Sequence, residues 1–254
     1  MKCNIRVSVI TPVYNGAEHI RDTIESVLGQ TYKNIEYIVV DGGSTDRTME
    51  IVKEYEPLFQ GRMKYVSEKD QGIYNAMNKG IRMSVGQLIG IINSDDYYDR
   101  NAVQNIVDNM GNAEYQVVYG YLGMLKGNRY YGLSKKAHNG LETAMLPHPT
   151  CFVTRGVYQK YGLYLEWFKA SADYELMLRL RSKKDVAFIQ VKTVIAYFRA
   201  GGISSGARCY LEGEIARVMH RIITPWEFGR RILCFIKKRS LEWLLDDKRT
   251  AQQT

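Results

Sequence analysis

Asp95 and Asp96 stand side by side just after an apolar run, Leu88 to Ile92, with Asn93 and Ser94 between. Adjacent carboxylates at the polar end of a strand repel each other unless a cation or hydrogen-bond donors offset the charge. A solvated turn capping a helix accounts for such a run. So does a site for Mg2+ or Mn2+, held by one carboxylate, some water and the phosphates of a ligand. Such a metal would neutralise charge that grows on a leaving diphosphate. A second polar stretch, Asp41-Gly42-Gly43-Ser44-Thr45-Asp46, follows the apolar run Ile35 to Val40. Its glycines let backbone approach a ligand closely, and its first Asp can accept hydrogen bonds from a base or ribose. Alone, a Gly-Gly turn and a serine cap explain it equally well. Beside Thr11-Pro12-Val13-Tyr14-Asn15 and the acidic run it becomes a nucleotide pocket.

The elements that must position these residues follow from periodicity. Val7 to Ile10, Ile35 to Val40, Met63 to Ser67 and Leu88 to Ile92 read as strands. Between them lie helix-spaced apolar sets: Ile20, Ile24, Val27 and Leu28; Met49, Val52 and Tyr55; Ile73, Ala76, Met77, Gly80 and Ile81. Ala102, Val103, Ile106, Val107 and Met110 add a fourth helix. Strands alternating with helices predict an α/β fold with a mostly parallel sheet and helices on both faces. Ligands of such sheets sit outside the carboxyl ends of the strands, where all three polar stretches fall. After residue 115 the pattern changes. Val117 to Leu125 and Arg129 to Gly132 predict an antiparallel hairpin, and Ser134 to Leu146 a loop. Cys151 to Thr154 predicts a strand, Ala172 to Ser182 a helix, and Phe188 to Phe198 one or two strands. From Tyr210 to about Leu245 the chain reads as helical, interrupted at Pro225.

Four segments in order, VSVITPVYNG, IEYIVVDGGSTD, SEKDQGIYNAMNKGI and LIGIINSDDYY, closely resemble glycosyltransferase family 2. The likeness continues more loosely through LPHPTCFVTR, ASADYELMLRL and FRAGGIS, and is strongest toward colanic-acid and O-antigen transferases of bacterial surface-polysaccharide clusters. The resemblance implies a GT-A fold, a Rossmann-like nucleotide-diphospho-sugar transferase architecture. It implies that Thr11, Pro12 and Tyr14 line a base pocket and that Asp41 meets the base, most often uracil. Asp70 and Asn78 would shape the pocket near base and ribose. Asp95 would be the metal ligand of the DxD-type motif, with Asp96 in support. Asn93 stands where many relatives have Asp; an amide suits a ribose hydroxyl better than a metal.

The family inverts anomeric configuration in one displacement, so a carboxylate must take the acceptor hydroxyl's proton. Asp173, in Ala172-Asp173-Tyr174-Glu175, matches the family's base position, although an Asp there also caps a helix well. His148, between two prolines, is placed to meet donor phosphates or acceptor, or is a packing residue. Arg199 with Gly201-Gly202-Ile203-Ser204 resembles a mobile loop that closes over the pyrophosphate, for which Arg has the right geometry. The expected partners are a nucleotide-sugar donor, a UDP-sugar, and a glycan or polyprenyl-diphosphate-linked sugar acceptor.

Composition bounds the rest. The chain has 254 residues, 45% hydrophobic and 24% charged, with 5 prolines, enough for a folded domain rather than a disordered chain. We expect residues 1–206 to form the catalytic domain, 1–110 binding the donor and 111–206 the acceptor. Residues 207–254 would form basic amphipathic helices. The four cysteines are scattered, which argues against a zinc cluster or a disulfide framework and fits a reducing compartment. No secretion peptide or membrane span is legible, so the expected location is cytoplasmic, with peripheral contact at the inner membrane face. The net charge of +8 concentrates toward the end, where Arg217, Arg221, Arg230, Arg231, Lys237, Lys238 and Arg239 interleave with Trp226, Phe228, Leu233, Phe235, Leu241, Trp243 and Leu244. That mixture matches a helix lying on an anionic membrane, or a packed helix with a solvated basic face. It matches no nucleic-acid-binding module, and no nucleic-acid partner is expected. A nucleotidyltransferase would carry a glycine-rich stretch with Arg and Lys near the first strand, and a NAD enzyme G-x-G-x-x-G. Both are absent.

Overall fold

The computed structural model describes residues 5–127, 129–199 and 206–237. Four apolar runs form β1 (Val7–Val13), β2 (Ile35–Asp41), β3 (Met63–Ser67) and β4 (Leu88–Ile91). Between them run α1 (Ile20–Leu28), α2 (Thr48–Tyr55) and α3 (Ile73–Met83). Next come β5 (Tyr97–Tyr98), α4 (Ala102–Asn109), β6 (Tyr115–Lys126) and β7 (Arg129–Ser134). The remainder comprises β8 (Phe152–Thr154), α5 (Arg155–Tyr161), α6 (Ala172–Arg181), β9 (Val186–Arg199) and α7 (Ala207–Met219), followed by α8 (residues 225–237).

The strands form one sheet in the order β3-β2-β1-β4-β8-β6-β9-β5, with β7 paired to β6. The half made of β3, β2, β1 and β4 is all parallel. In the other half β8 runs antiparallel to β4 and β6, while β6 and β9 run parallel. The sheet is therefore mixed, and parallel where crossover helices alternate with strands.

Both faces are covered, as the apolar strands require. Ile20, Ile24, Val52, Val103 and Ile106 pack on one face with Val7 and Val9 of β1. Met77, Ile81, Val157, Leu176 and Leu180 pack on the other with Ile10. Close approach fixes the sheet at Gly90, where a Cβ would sit 2.4 Å from the Phe152 ring.

Several boundaries differ from the periodicity. β1 continues through Thr11, Pro12 and Val13 instead of ending at Ile10. Its ladder with β4 stops at Ile10–Ile91, so the Pro12 nitrogen faces a side where no partner strand needs its missing N–H. The two-residue β5 and the seven-residue α5 are too short to show a period. β9 is a single strand whose register against β6 shifts at Tyr119 and Tyr121. The stretch after β7 holds a short 3-10 turn, His138–Gly140.

Candidate active site

Because β1 to β4 are parallel, their carboxyl ends open on one edge of the sheet, and the loops that follow them meet there. The first two loops are stitched together by side chains. Ser44 Oγ accepts from the Asn15 amide at 2.7 Å, and Asn15 Oδ1 accepts from the Thr45 amide at 2.9 Å. Thr48 Oγ1 accepts from the Gly16 amide at 2.9 Å, and Asp46 accepts from the Ala17 amide at 3.1 Å. Asn15 adopts a left-handed backbone, φ 50°, which an Asn tolerates better than most residues.

Not all of the expected pocket residues face outward. Thr11 and Pro12 are buried within β1, Thr11 accepting a hydrogen bond from Tyr37 at 3.0 Å. Tyr14, 64% exposed, projects from the loop above them. Asp41 is fully buried, and its carboxylate accepts from the Gly43 and Ser44 amides and from the hydroxyls of Ser44 and Ser67. It braces the turn in which Gly43 takes φ +85°. Asp70 lies against that turn, since a Cβ on Gly42 would fall 2.7 Å from its Oδ2. Asn78 is buried on α3 and spends its amide on the 164–166 segment. Nδ2 donates to Tyr164 O at 2.9 Å and to Glu166 at 2.8 Å, while Oδ1 accepts from the Tyr164 amide at 3.0 Å.

The acidic run turns sharply beyond β4, with the Asp96 amide donating to Asn93 O at 3.1 Å. Asp96 is buried, and burial followed by the charge of Asp95 pushes its carboxyl well above the usual range. One oxygen accepts from the Arg199 amide at 3.1 Å, but Oδ2 is buried with no hydrogen-bond partner among the described residues. The same holds for Asn93 Oδ1. Asp95 is partly exposed, and its carboxylate accepts no hydrogen bond from a described residue. Two buried oxygens without donors beside a partly exposed carboxylate fit a hard cation that brings water and phosphate oxygens of its own. No group of three His, Cys, Asp or Glu is gathered among the described residues. A cage built from protein ligands alone is therefore not the arrangement on offer.

Arg199, at the end of β9, joins this corner in an unexpected way. Its Nη1 donates to Asp95 O at 2.8 Å, its Nη2 pairs with Asp22 at 2.5 Å, and its guanidinium lies over the Tyr97 ring. The glycines that follow it, 201 and 202, lie outside the described residues with Ile203 and Ser204.

A third group lies across from the first two loops. β8 runs antiparallel to β4 with Phe152 opposite Gly90, so the segment before it returns to the carboxyl end of β4 and brings His148 there. Asp173, in the first turn of α6, accepts from the Tyr74 hydroxyl at 2.9 Å, and Tyr74 lies in the first turn of α3. Ser171, not Asp173, holds the N-cap position. His148 Nε2 is 3.5 Å from the Tyr164 hydroxyl. Burial lowers its pKa, and the charge of Asp173 offsets this only in part, so the site favours the neutral ring. Burial pushes the neighbouring Cys151 thiol up to about 12, which leaves it inert as a nucleophile.

Glu212 is a contributor that local sequence does not disclose. From α7 it accepts the amides of Lys169, Ala170 and Ser171 at 2.7 to 3.0 Å and so fixes the entry into α6. Only its place on a helix some 40 residues downstream makes this contact, so no motif around Asp173 could signal it.

Comparison with known proteins supplies the family. Residues 8–168 match the model for Glycosyl transferase family 2. An uncharacterised glycosyltransferase of Rickettsia typhi is 32% identical over 201 residues, 72% of this chain and 60% of the relative. The chain thus spans less than two thirds of that relative's length. A PGL/p-HBAD biosynthesis glycosyltransferase of Mycobacterium bovis is 28% identical over 201 residues, covering 78% of each chain. Among solved structures, S. aureus TarS 1–349 in complex with UDP-GlcNAc is similar with a TM-score of 0.67 at 16% identity, covering 85% of this chain and 65% of that one. The Pyrobaculum calidifontis mannosyltransferase PcManGT, in complex with GDP-Man and Mn2+, gives 0.58 at 20% identity, covering 85% and 61%. With the sheet order, the three converging loops and the acidic turn already described, the chain belongs to glycosyl transferase family 2 and has the GT-A fold.

Proposed function

We propose that this chain is a metal-dependent, inverting transferase that moves a hexose or N-acetylhexosamine from a UDP-sugar to a sugar hydroxyl. The acceptor we propose is carried on a lipid diphosphate, in bacterial surface-polysaccharide synthesis. The observation that carries the reading is the acidic turn. Asp95 stands partly exposed at the carboxyl ends of parallel strands, beside buried oxygens of Asn93 and Asp96 that have no donor among the described residues. UDP-GlcNAc in TarS and GDP-Man with Mn2+ in PcManGT, both in similar folds, support a nucleotide-sugar and a divalent ion here.

In this reading Tyr14 covers the base, while Asp41 and Asp70 act by shaping the Gly42–Gly43 turn against which ribose and base lie. Asn93, Asp95 and Asp96 face the diphosphate, Asp95 as metal ligand. A bound Mg2+ or Mn2+ would neutralise the charge developing on the leaving nucleoside diphosphate. Asp173 is the base. Its Oδ1 is held by Tyr74, which orients the carboxylate and leaves Oδ2 for the acceptor hydroxyl. The acceptor oxygen attacks the anomeric carbon, its proton passes to Asp173, and the bond to phosphate breaks with its electron pair leaving on the diphosphate. Neutral His148 lines the same wall and can hydrogen-bond acceptor or phosphate without adding charge.

A peripheral membrane role is part of the proposal. Phe235 of α8 stacks on Tyr210 at 4.2 Å, and Arg231 reaches Glu214 on α7. The opposite side presents Trp226, 82% exposed, with Leu233 and Arg230. No acidic residue occurs from Phe228 to Arg239. Apolar side chains set among cations suit an anionic surface on the cytoplasmic side. Lys238, Arg239, Leu241, Trp243 and Leu244 lie outside the described residues. No helix among the described residues is long and apolar enough to cross a membrane.

The deciding experiment measures thermal stability with UDP, with Mn2+ and with both. The proposal expects stabilisation by UDP that depends on the metal. Absence of metal-dependent stabilisation by any nucleoside diphosphate would overturn it.

A further inference from the structure

Residues 94–103 carry the acidic turn yet contain only two strand residues, Tyr97–Tyr98, so most of their backbone groups need partners from elsewhere. Side chains of α1 and of the residues just after it supply several of them. Thr23 Oγ1 lies 2.9 Å from Ser94 O and 2.6 Å from Asp96 O, placed to donate to either. Ser26 Oγ accepts from the Tyr98 amide at 3.1 Å. Gln30 donates to Asp99 O at 2.7 Å and accepts from the Val103 amide at 3.0 Å. Thr23, Ser26 and Gln30 follow i, i+3, i+7 spacing, one side of a helix. The carbonyl between the two that Thr23 serves belongs to Asp95. It is taken by Arg199 Nη1 at 2.8 Å, and Arg199 is itself fastened to Asp22 on α1. Carbonyls 94 and 96 thus share the one hydroxyl of Thr23, and carbonyl 95 between them is held to α1 through one arginine.

We propose that α1 is the frame that sets the height of the acidic turn, with Asp22, Thr23 and Gln30 as positioning residues for Asp95. The inference rests on the donor-and-metal reading above. Thr23 and Gln30 are buried, and their polar atoms serve this one segment and the end of α1 itself. A cation held by a single protein carboxylate has no second protein ligand to correct an error in the first. Its affinity then depends on how well the backbone beneath that carboxylate is held. If these bonds only satisfied buried backbone, losing one would weaken stability and every binding event alike. If they position Asp95, the loss falls on the metal-dependent part of binding.

The test is calorimetric titration of the full chain with UDP, once in Mn2+ and once in EDTA. The variants are Thr23→Val, Thr23→Ser and Asp22→Asn. Thr23→Val keeps the shape and removes the hydroxyl, so UDP affinity in Mn2+ should fall about tenfold or more while affinity in EDTA stays the same. Thr23→Ser should restore the Mn2+ arm. Asp22 is half exposed, so Asp22→Asn keeps the fold, frees Arg199 and should weaken the Mn2+ arm alone. That variant decides the matter if Thr23→Val does not fold. Wild-type Mn2+ response in the variants, or equal losses in both arms, overturns the frame and leaves the donor reading standing. A wild-type chain that binds UDP no better in Mn2+ than in EDTA overturns both.

Discussion

At the scale of single residues, the proposed chemistry divides between carboxylates in unlike surroundings. Asp95 is partly exposed with no hydrogen-bond donor among the described residues, whereas Asp96 is buried and held toward its protonated form by burial and by Asp95. Of the two adjacent carboxylates, Asp95 is therefore the one open to solvent, beside a neighbour that burial holds toward its neutral form. Asp95→Ala should remove metal-dependent UDP binding and reduce turnover below detection, as read by titration and by release of UDP. Asp173 is different, being tied to a tyrosine hydroxyl and remote from the acidic turn in sequence. Asp173→Asn should keep UDP affinity within about twofold and lower kcat by roughly 100- to 10,000-fold, the usual worth of a positioned base. Near-normal turnover in that variant would remove Asp173 from the role.

Among the elements, α6 and α7 act as one unit. Glu212 on α7 gathers the amides of residues 169–171 just ahead of α6, and His220 at the end of α7 lies 2.9 Å from Glu175. Arg217 donates to the Tyr174 hydroxyl at 3.0 Å. α7 thereby belongs to the wall that holds Asp173. Glu212→Ala leaves three amides without their acceptor and should cost about 1–3 kcal/mol, measured by urea unfolding. Because the same amides set the entry to α6, kcat should fall more than UDP affinity changes. Equal behaviour of variant and wild type in both measurements would show that α7 is only draped on the domain.

Across the whole molecule, charge is sorted by position. At the amino-terminal ends of the strands, Glu36 is buried; burial alone would raise its pKa. Hydrogen bonds from Ser8, Val85 and Gly86 and the charge of Lys64 outweigh that, and the carboxyl ends below its ordinary value. Glu175, buried on α6, is lowered in the same net sense by His220 and Arg179. A depressed folded pKa contributes stability above the unfolded value, near 4.3, and that contribution is lost as pH falls through the folded value. Unfolding free energy should therefore drop below about pH 4, and Glu36→Gln should flatten that limb in denaturation series from pH 7 to 3. A slope unchanged in the variant would place the acid sensitivity elsewhere. At the other extreme of the chain, Trp226 and Leu233 are exposed, so replacing both with Ser leaves packing intact. Co-sedimentation with phosphatidylserine vesicles should fall several-fold, while transfer to a short soluble acceptor is retained. Unchanged binding would mean that the outer side of α8 does not touch the membrane.

Much of the architecture was legible because periodicity and burial are local properties. Ile20, Ile24 and Val27 mark α1 by spacing alone, and the short apolar run Leu88 to Ile92 marks β4, observed over Leu88–Ile91. The acidic run and the Asp41 turn were equally visible, since both sit where an apolar run stops. What each polar residue does once folded was not. The resemblance gave Asn78 a place in the pocket near base and ribose, yet its amide is spent on Tyr164 and Glu166, some 86 to 88 residues away. Arg199 could be read as a phosphate ligand, yet here it bridges Asp22 and Asp95, from elements 177 and 104 residues away. A hydrogen bond depends on distances of tenths of an ångström between groups that the chain brings together only by folding. By itself the sequence therefore determined the longer strands and helices and the carboxylates at their ends, while tertiary structure alone decided which of those polar groups remain free for a ligand.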